Sequence, residues 1–69
     1  MSQTEMILKY LVEFGSITPV EAMEEFGIMR LGARIWDLKA QGVPIKTESE
    51  SRKNRYGKTV TYARYRLEG

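Results

Sequence analysis

The sequence predicts a small α+β domain: three helices followed by a two-stranded β-hairpin. Three observations carry that prediction. Apolar residues recur at helical spacing up to residue 42, in segments closed by Gly15, Gly27 and Gly42. From Ile45 onward, apolar and polar residues alternate with the period of a strand. Arg55-Tyr56-Gly57 interrupts that alternation with glycine at the place where a three-residue hairpin loop needs a positive φ. A chain of 69 residues can bury only one modest core, so residues 1–69 are expected to form a single domain.

The first segment, TEMILKYLVEF, sets Ile7, Leu11 and Phe14 at helical spacing behind Thr4 as a candidate cap. Met6, Leu8, Tyr10 and Val12 add more apolar surface than one buried stripe requires. That surplus predicts either a helix packed on two sides or a surface for a homodimer or protein partner. In SITPVEAMEEFG, Thr18 can cap, Pro19 suits the first helical position because its missing N–H would be unpaired there, and Glu21 completes a capping box. Val20, Met23 and Phe26, with the small Ala22 beside them, form the expected buried stripe, and Glu21, Glu24 and Glu25 the wet face. The short Ser16-Ile17 segment ahead of this helix can add a third strand.

The third helix is expected within MRLGARIWDLKAQG, with Leu31, Ile35 and Leu38 at i, i+4 and i+7. Opposite that stripe lie Met29, Arg30, Ala33, Asp37 and Ala40, with Arg34 and Trp36 at the flanks. Gly32 falls nearer the buried side, where it permits close approach. A Gly-Ile step alone separates this helix from the one before, the spacing of a helix-turn-helix unit. In the hairpin, the loop assignment sets Asn54 opposite Lys58, Ser49 opposite Ala63, Glu48 opposite Arg64, Thr47 opposite Tyr65 and Ile45 opposite Leu67. Apolar residues then meet on one face, and Glu48 with Arg64 is expected to form a cross-strand ion pair on the other.

Composition narrows the chemistry. The chain has no Cys and no His, which removes disulfides, thiol nucleophiles, the usual zinc ligands and the commonest general base. No carboxylate pair, activated nucleophile or phosphate-cradling glycine loop can be assembled, so neither an enzyme nor a cofactor or small-molecule ligand is expected. The apolar N-terminal stretch is broken by Lys9 and Glu13, is too short for a bilayer, and lacks a basic leader, which predicts a soluble cytoplasmic protein without a membrane partner. Net charge is +2 but polarised: residues 1–29 hold one Lys against five Glu, a net of −4, and residues 30–69 hold ten cations against four acids, a net of +6.

GSITPVEAMEEFGI, RLGARIWDLKAQG and KNRYGKTVTYARYRL together resemble the short winged helix-turn-helix domains of bacteriophage and bacterial genomes, over nearly the whole chain. The resemblance implies sequence-specific or architectural binding of double-stranded DNA. The second helix of the motif would lie in the major groove, and the hairpin wing against the flanking backbone. One departure is the short Ile28-Met29 turn, which offers no Ser or Thr to cap the third helix.

The residues point the same way. Arg52, Lys53, Arg55 and Lys58 surround a tip with no acidic residue between positions 51 and 67, suited to follow a phosphate backbone. Asn54 and Tyr56 add hydrogen-bonding and stacking groups. On the third helix, Arg30 in the first turn and Arg34 one turn on can reach a guanine edge or a phosphate, beside Met29 and Ala33. Arg34 can instead pair with a Glu of the second helix. Asp37 repels phosphate unless Arg34 neutralises it or it accepts from a cytosine amino group. Thr18 is a candidate phosphate ligand, or simply a cap. Trp36 is expected to anchor under the wing, and Arg64 and Arg66 are weaker candidates. A regulator of transcription, an excisionase-like recombination accessory factor and a protein-interaction module on the same fold are the readings that remain.

Overall fold

Reciprocal capping boxes start the first two helices of the computed structural model, which describes residues 1–69. Helix α1 (Gln3–Phe14) is capped by Ser2, not Thr4: Glu5 N donates to Ser2 Oγ at 3.1 Å and Ser2 N donates to Glu5 Oε1 at 3.2 Å. Ser2 prevails because Glu5 lies three residues on and satisfies a second orphan donor, whereas Thr4 has Ile7 at that position. Ile7 and Leu11 are buried as expected, but Phe14 is exposed and stacks on Tyr10 at a centroid distance of 4.5 Å. Gly15, at φ +85°, turns the chain so that Ile17 of β1 (Ser16–Ile17) fills the core in its place.

Helix α2 (Pro19–Phe26) buries a different stripe from the expected one. Thr18, Ala22 and Phe26, at i, i+4 and i+8, face inward, while Val20 and Met23 are exposed. The fully buried Ala22 explains the rotation: a methyl lets the helix backbone close onto the core, and Ile28 just beyond supplies the bulk. Helix α3 (Leu31–Ala40) buries Leu31, Ile35 and Leu38 as predicted. It begins at Leu31 instead of Met29, with Arg30 as an N-cap that makes no side-chain capping bond. No Ser, Thr, Asp or Asn stands at 28–30 to start it earlier.

The sheet has the order β1-β3-β2, with β2 spanning Ile45–Lys53 and β3 Thr59–Leu67. The third strand forms through Ser16 opposite Arg66 and Ile17 opposite Tyr65. Hairpin pairing follows the predicted register, Ile45 opposite Leu67 through Ser49 opposite Ala63, and Asn54 N donates to Lys58 O at 2.8 Å to close it. Glu48 and Arg64 stand opposite but do not pair. Arg66 Nε donates to Glu48 Oε1 at 2.6 Å and Arg64 Nε to Glu50 Oε2 at 2.7 Å, both diagonal contacts within reach of long side chains. Arg64 is drawn that way because its Nη1 also donates to Ser16 Oγ at 3.0 Å.

Nine apolar residues from all three helices, strand β1, the turn after α2 and the start of β2 make one core: Ile7, Leu11, Ile17, Ala22, Ile28, Leu31, Ile35, Leu38 and Ile45. Trp36 is not among them. It is 70% exposed, because helical period turns it away from the buried Leu31, Ile35, Leu38 stripe of α3. Residues 51–60 are all exposed, so the hairpin leaves the body and gives the protein its 39 Å long axis.

Candidate nucleic-acid interface

The wing tip is held by its own backbone and by Asn54. Gly57 sits at φ +76° and donates its N–H to Asn54 O at 3.0 Å. Asn54 Oδ1 accepts from Tyr56 N at 3.0 Å and Lys58 N at 3.1 Å, an Asx-type arrangement that commits this oxygen to the loop. Tyr56, 82% exposed, projects from the tip. Arg52, Lys53, Arg55 and Lys58 are exposed, and none belongs to any of the four ion pairs of the protein.

Charges nearer the body are consumed by one another. The Arg66 guanidinium holds the Glu48 carboxyl below its ordinary range through a side-chain hydrogen bond, and Arg64 does the same for Glu50. Arg64 is raised in turn, chiefly by that bond to Glu50, and its Nη1 lies 3.6 Å from Glu21 of α2. Arg64 and Arg66 therefore contribute little free positive charge to the outer sheet face.

On α3 the candidates divide. Arg34 Nε donates to Asp37 Oδ2 at 3.0 Å and its Nη1 to Gln3 of α1 at 3.3 Å. Its partner is thus Asp37, one helical turn on, and not a glutamate of α2. Arg30 is exposed and has no side-chain partner. Met29 is 80% exposed and Ala33 half-buried. Thr18 is 4% exposed; its Oγ1 accepts from Glu21 N at 3.2 Å while Glu21 Oε1 accepts from Thr18 N at 2.8 Å. Its hydroxyl serves as the cap of α2, and the residue borders the groove described below.

Two clusters result. One lies on the outer surface of α3 and the other at the wing tip, joined by the inner face of the hairpin. Lys39 Nζ donates to Thr47 Oγ1 at 3.4 Å and ties α3 to the base of that face, where Ser51 Oγ and Thr61 Oγ1 lie 3.1 Å apart farther out. Sequence reasoning passed over Lys39, Ser51 and Thr61, and its expectation that Trp36 anchors under the wing is not met. Strand alternation alone places Ser51 and Thr61 on the same face as Thr47 and Tyr65 and could have found them. A groove of about 320 Å³ lies on the opposite face, between the start of α2 and the wing, lined by Val20, Arg52, Val60 and Tyr62 beside the paired Glu21 and Arg64. No helix is long and apolar enough to cross a membrane.

The model of the winged helix-turn-helix domain family, a DNA-binding fold, matches residues 2–68. No curated protein matches the chain.

Proposed function

From the winged helix-turn-helix domain family, to which this chain belongs, we propose that the protein is a small regulator of transcription of the phage and bacterial kind, acting on double-stranded DNA in the cytoplasm. One observation carries this reading: the four cations of the wing tip are exposed and unpaired, whereas Arg34, Arg64 and Arg66 are all neutralised. A protruding hairpin with free cations can lie along a phosphate backbone and release the counterions condensed there. The outer face of α3 then enters the major groove with Arg30 at its leading end. An architectural, excisionase-like role is the second reading. It is favoured by the pairing of Arg34 with Asp37, which removes a free guanidinium from α3.

The test is a titration of duplex DNA with the Lys53→Ala/Arg55→Ala protein across salt concentrations. Binding to all duplexes weakens alike, and the logarithmic salt slope becomes shallower by about 0.9 for each phosphate that the wing no longer neutralises. Unchanged affinity at low salt would overturn the role of the wing.

A further inference from the structure

The exposed side of α3, with the turn before it, presents an unusually large apolar surface for one that reads DNA. Met29, in the turn before the helix, and Trp36 are 80% and 70% exposed, and the methyls of Ala33 and Ala40 fall on the same side of α3 as Trp36 by helical period. The polar residues there are largely spent: Asp37 and Arg34 hold each other at 3.0 Å. Arg30, before the first turn, has no side-chain partner, and the Trp36 indole N–H and the exposed Lys39 ammonium are the other donors beside this apolar surface. A face so composed offers base edges more apolar surface than hydrogen-bonding groups.

We propose that this face recognises the 5-methyl groups of thymine in the major groove, with Trp36 as the residue that sets the preference. This rests on the DNA-binding reading above. Thymine is the base that offers an apolar group to the major groove, and apolar side chains are its natural contacts. Position supports DNA as the occupant. Gly32 and Lys39, which flank Trp36 on the helix, lie against Tyr65 and Thr47 of the sheet. Trp36 therefore borders the inner face of the hairpin whose tip carries the unpaired cations, and a duplex held by that tip is drawn over the indole. Charge complementarity and the apolar patch act on the same ligand.

The experiment compares binding of the full chain, at one low salt concentration, to three duplexes of equal length: alternating A·T, alternating A·U and alternating G·C. Uracil differs from thymine only in lacking the methyl group, so hydrogen-bonding edges are conserved between the first two. Burial of one methyl is worth about fourfold in affinity, and the A·T duplex is expected to bind tighter than A·U by at least that factor. Trp36→Ala should bring the ratio close to one, and Trp36→Phe should keep most of it. Met29→Ser, a second exposed position, should lower it partially and guards against a misfolded Trp36 variant.

Failure of all three duplexes to bind would overturn the DNA-binding reading itself. Binding with equal affinity for A·T and A·U would leave that reading standing and overturn the thymine contact. A self-associated species that Trp36→Ala dissociates, with the A·T to A·U ratio unmoved, would also overturn it and assign the face to a second copy of the chain.

Discussion

Arg34 and Asp37 lie one turn apart on α3 and share a hydrogen bond of 3.0 Å from Nε to Oδ2. The pair removes one positive and one negative charge from the helix that faces the proposed duplex. Both side chains remain about one-third exposed, so solvent screens them and their contribution to stability is small.

Asp37→Asn should therefore strengthen DNA binding. The change deletes a negative charge near phosphate and frees Arg34, which predicts a gain of about two- to fivefold at low salt that fades as salt rises. If Arg34 gains a phosphate, the logarithmic salt slope steepens by about 0.9. The thermal midpoint should hardly move. Equal affinity for the two proteins at low salt would show that α3 does not approach the duplex.

Arg30 separates reading from gripping. It is exposed and makes no capping bond, so Arg30→Ala should leave the fold intact. A bidentate contact with guanine predicts a loss of about 1 to 3 kcal/mol on a preferred site and much less on random duplex. A phosphate contact weakens both alike, which would favour the architectural role. Paired titrations of specific and random duplexes distinguish the two.

Gly57 is needed for its backbone. It sits at φ +76°, with open space where a Cβ would stand. Gly57→Val should therefore be penalised by the left-handed conformation and not by a clash, at about 1 to 2 kcal/mol. Chemical denaturation measures this. A Gly57→Val protein of unchanged stability would mean that the tip is free to adopt another loop.

Thr18 should prove to be a stability residue. Its Oγ1 caps α2 through Glu21 N at 3.2 Å, and the residue is buried. Thr18→Ala is expected to cost about 1 kcal/mol in denaturation, with DNA affinity of the folded protein unaltered. A fall in affinity without a fall in stability would restore Thr18 to the interface.

Local patterns carried much of the fold. The Leu31, Ile35, Leu38 stripe follows from helical period, the register from Ile45 opposite Leu67 follows from the turn chemistry of Arg55-Tyr56-Gly57, and the capping box at Thr18 follows from a spacing of three residues. Each depends on neighbours within one turn or one hairpin, which is why it is legible in order along the chain. The concentration of cations at the tip is likewise a property of the sequence, since no acid lies between positions 51 and 67 to answer them.

Tertiary structure decided what depends on competition between distant groups. Tyr65 and Trp36 are both aromatic, and only the packed geometry shows that Tyr65 lies against the core while Trp36 stays in solvent. Arg64 has Glu48, Glu50, Glu21 and Ser16 as candidate partners, and its diagonal choice of Glu50 follows from where α2 and β1 stand beside β3. Helix α2 turns its Ala22 inward, not Val20 and Met23, because the core closes most tightly on the smallest side chain. Sequence by itself determined which elements form and in what register, through short-range geometry. Which side chains are left free to meet a ligand was settled by packing and ion pairing between residues far apart in the chain, whose energies exist only once the elements are brought together.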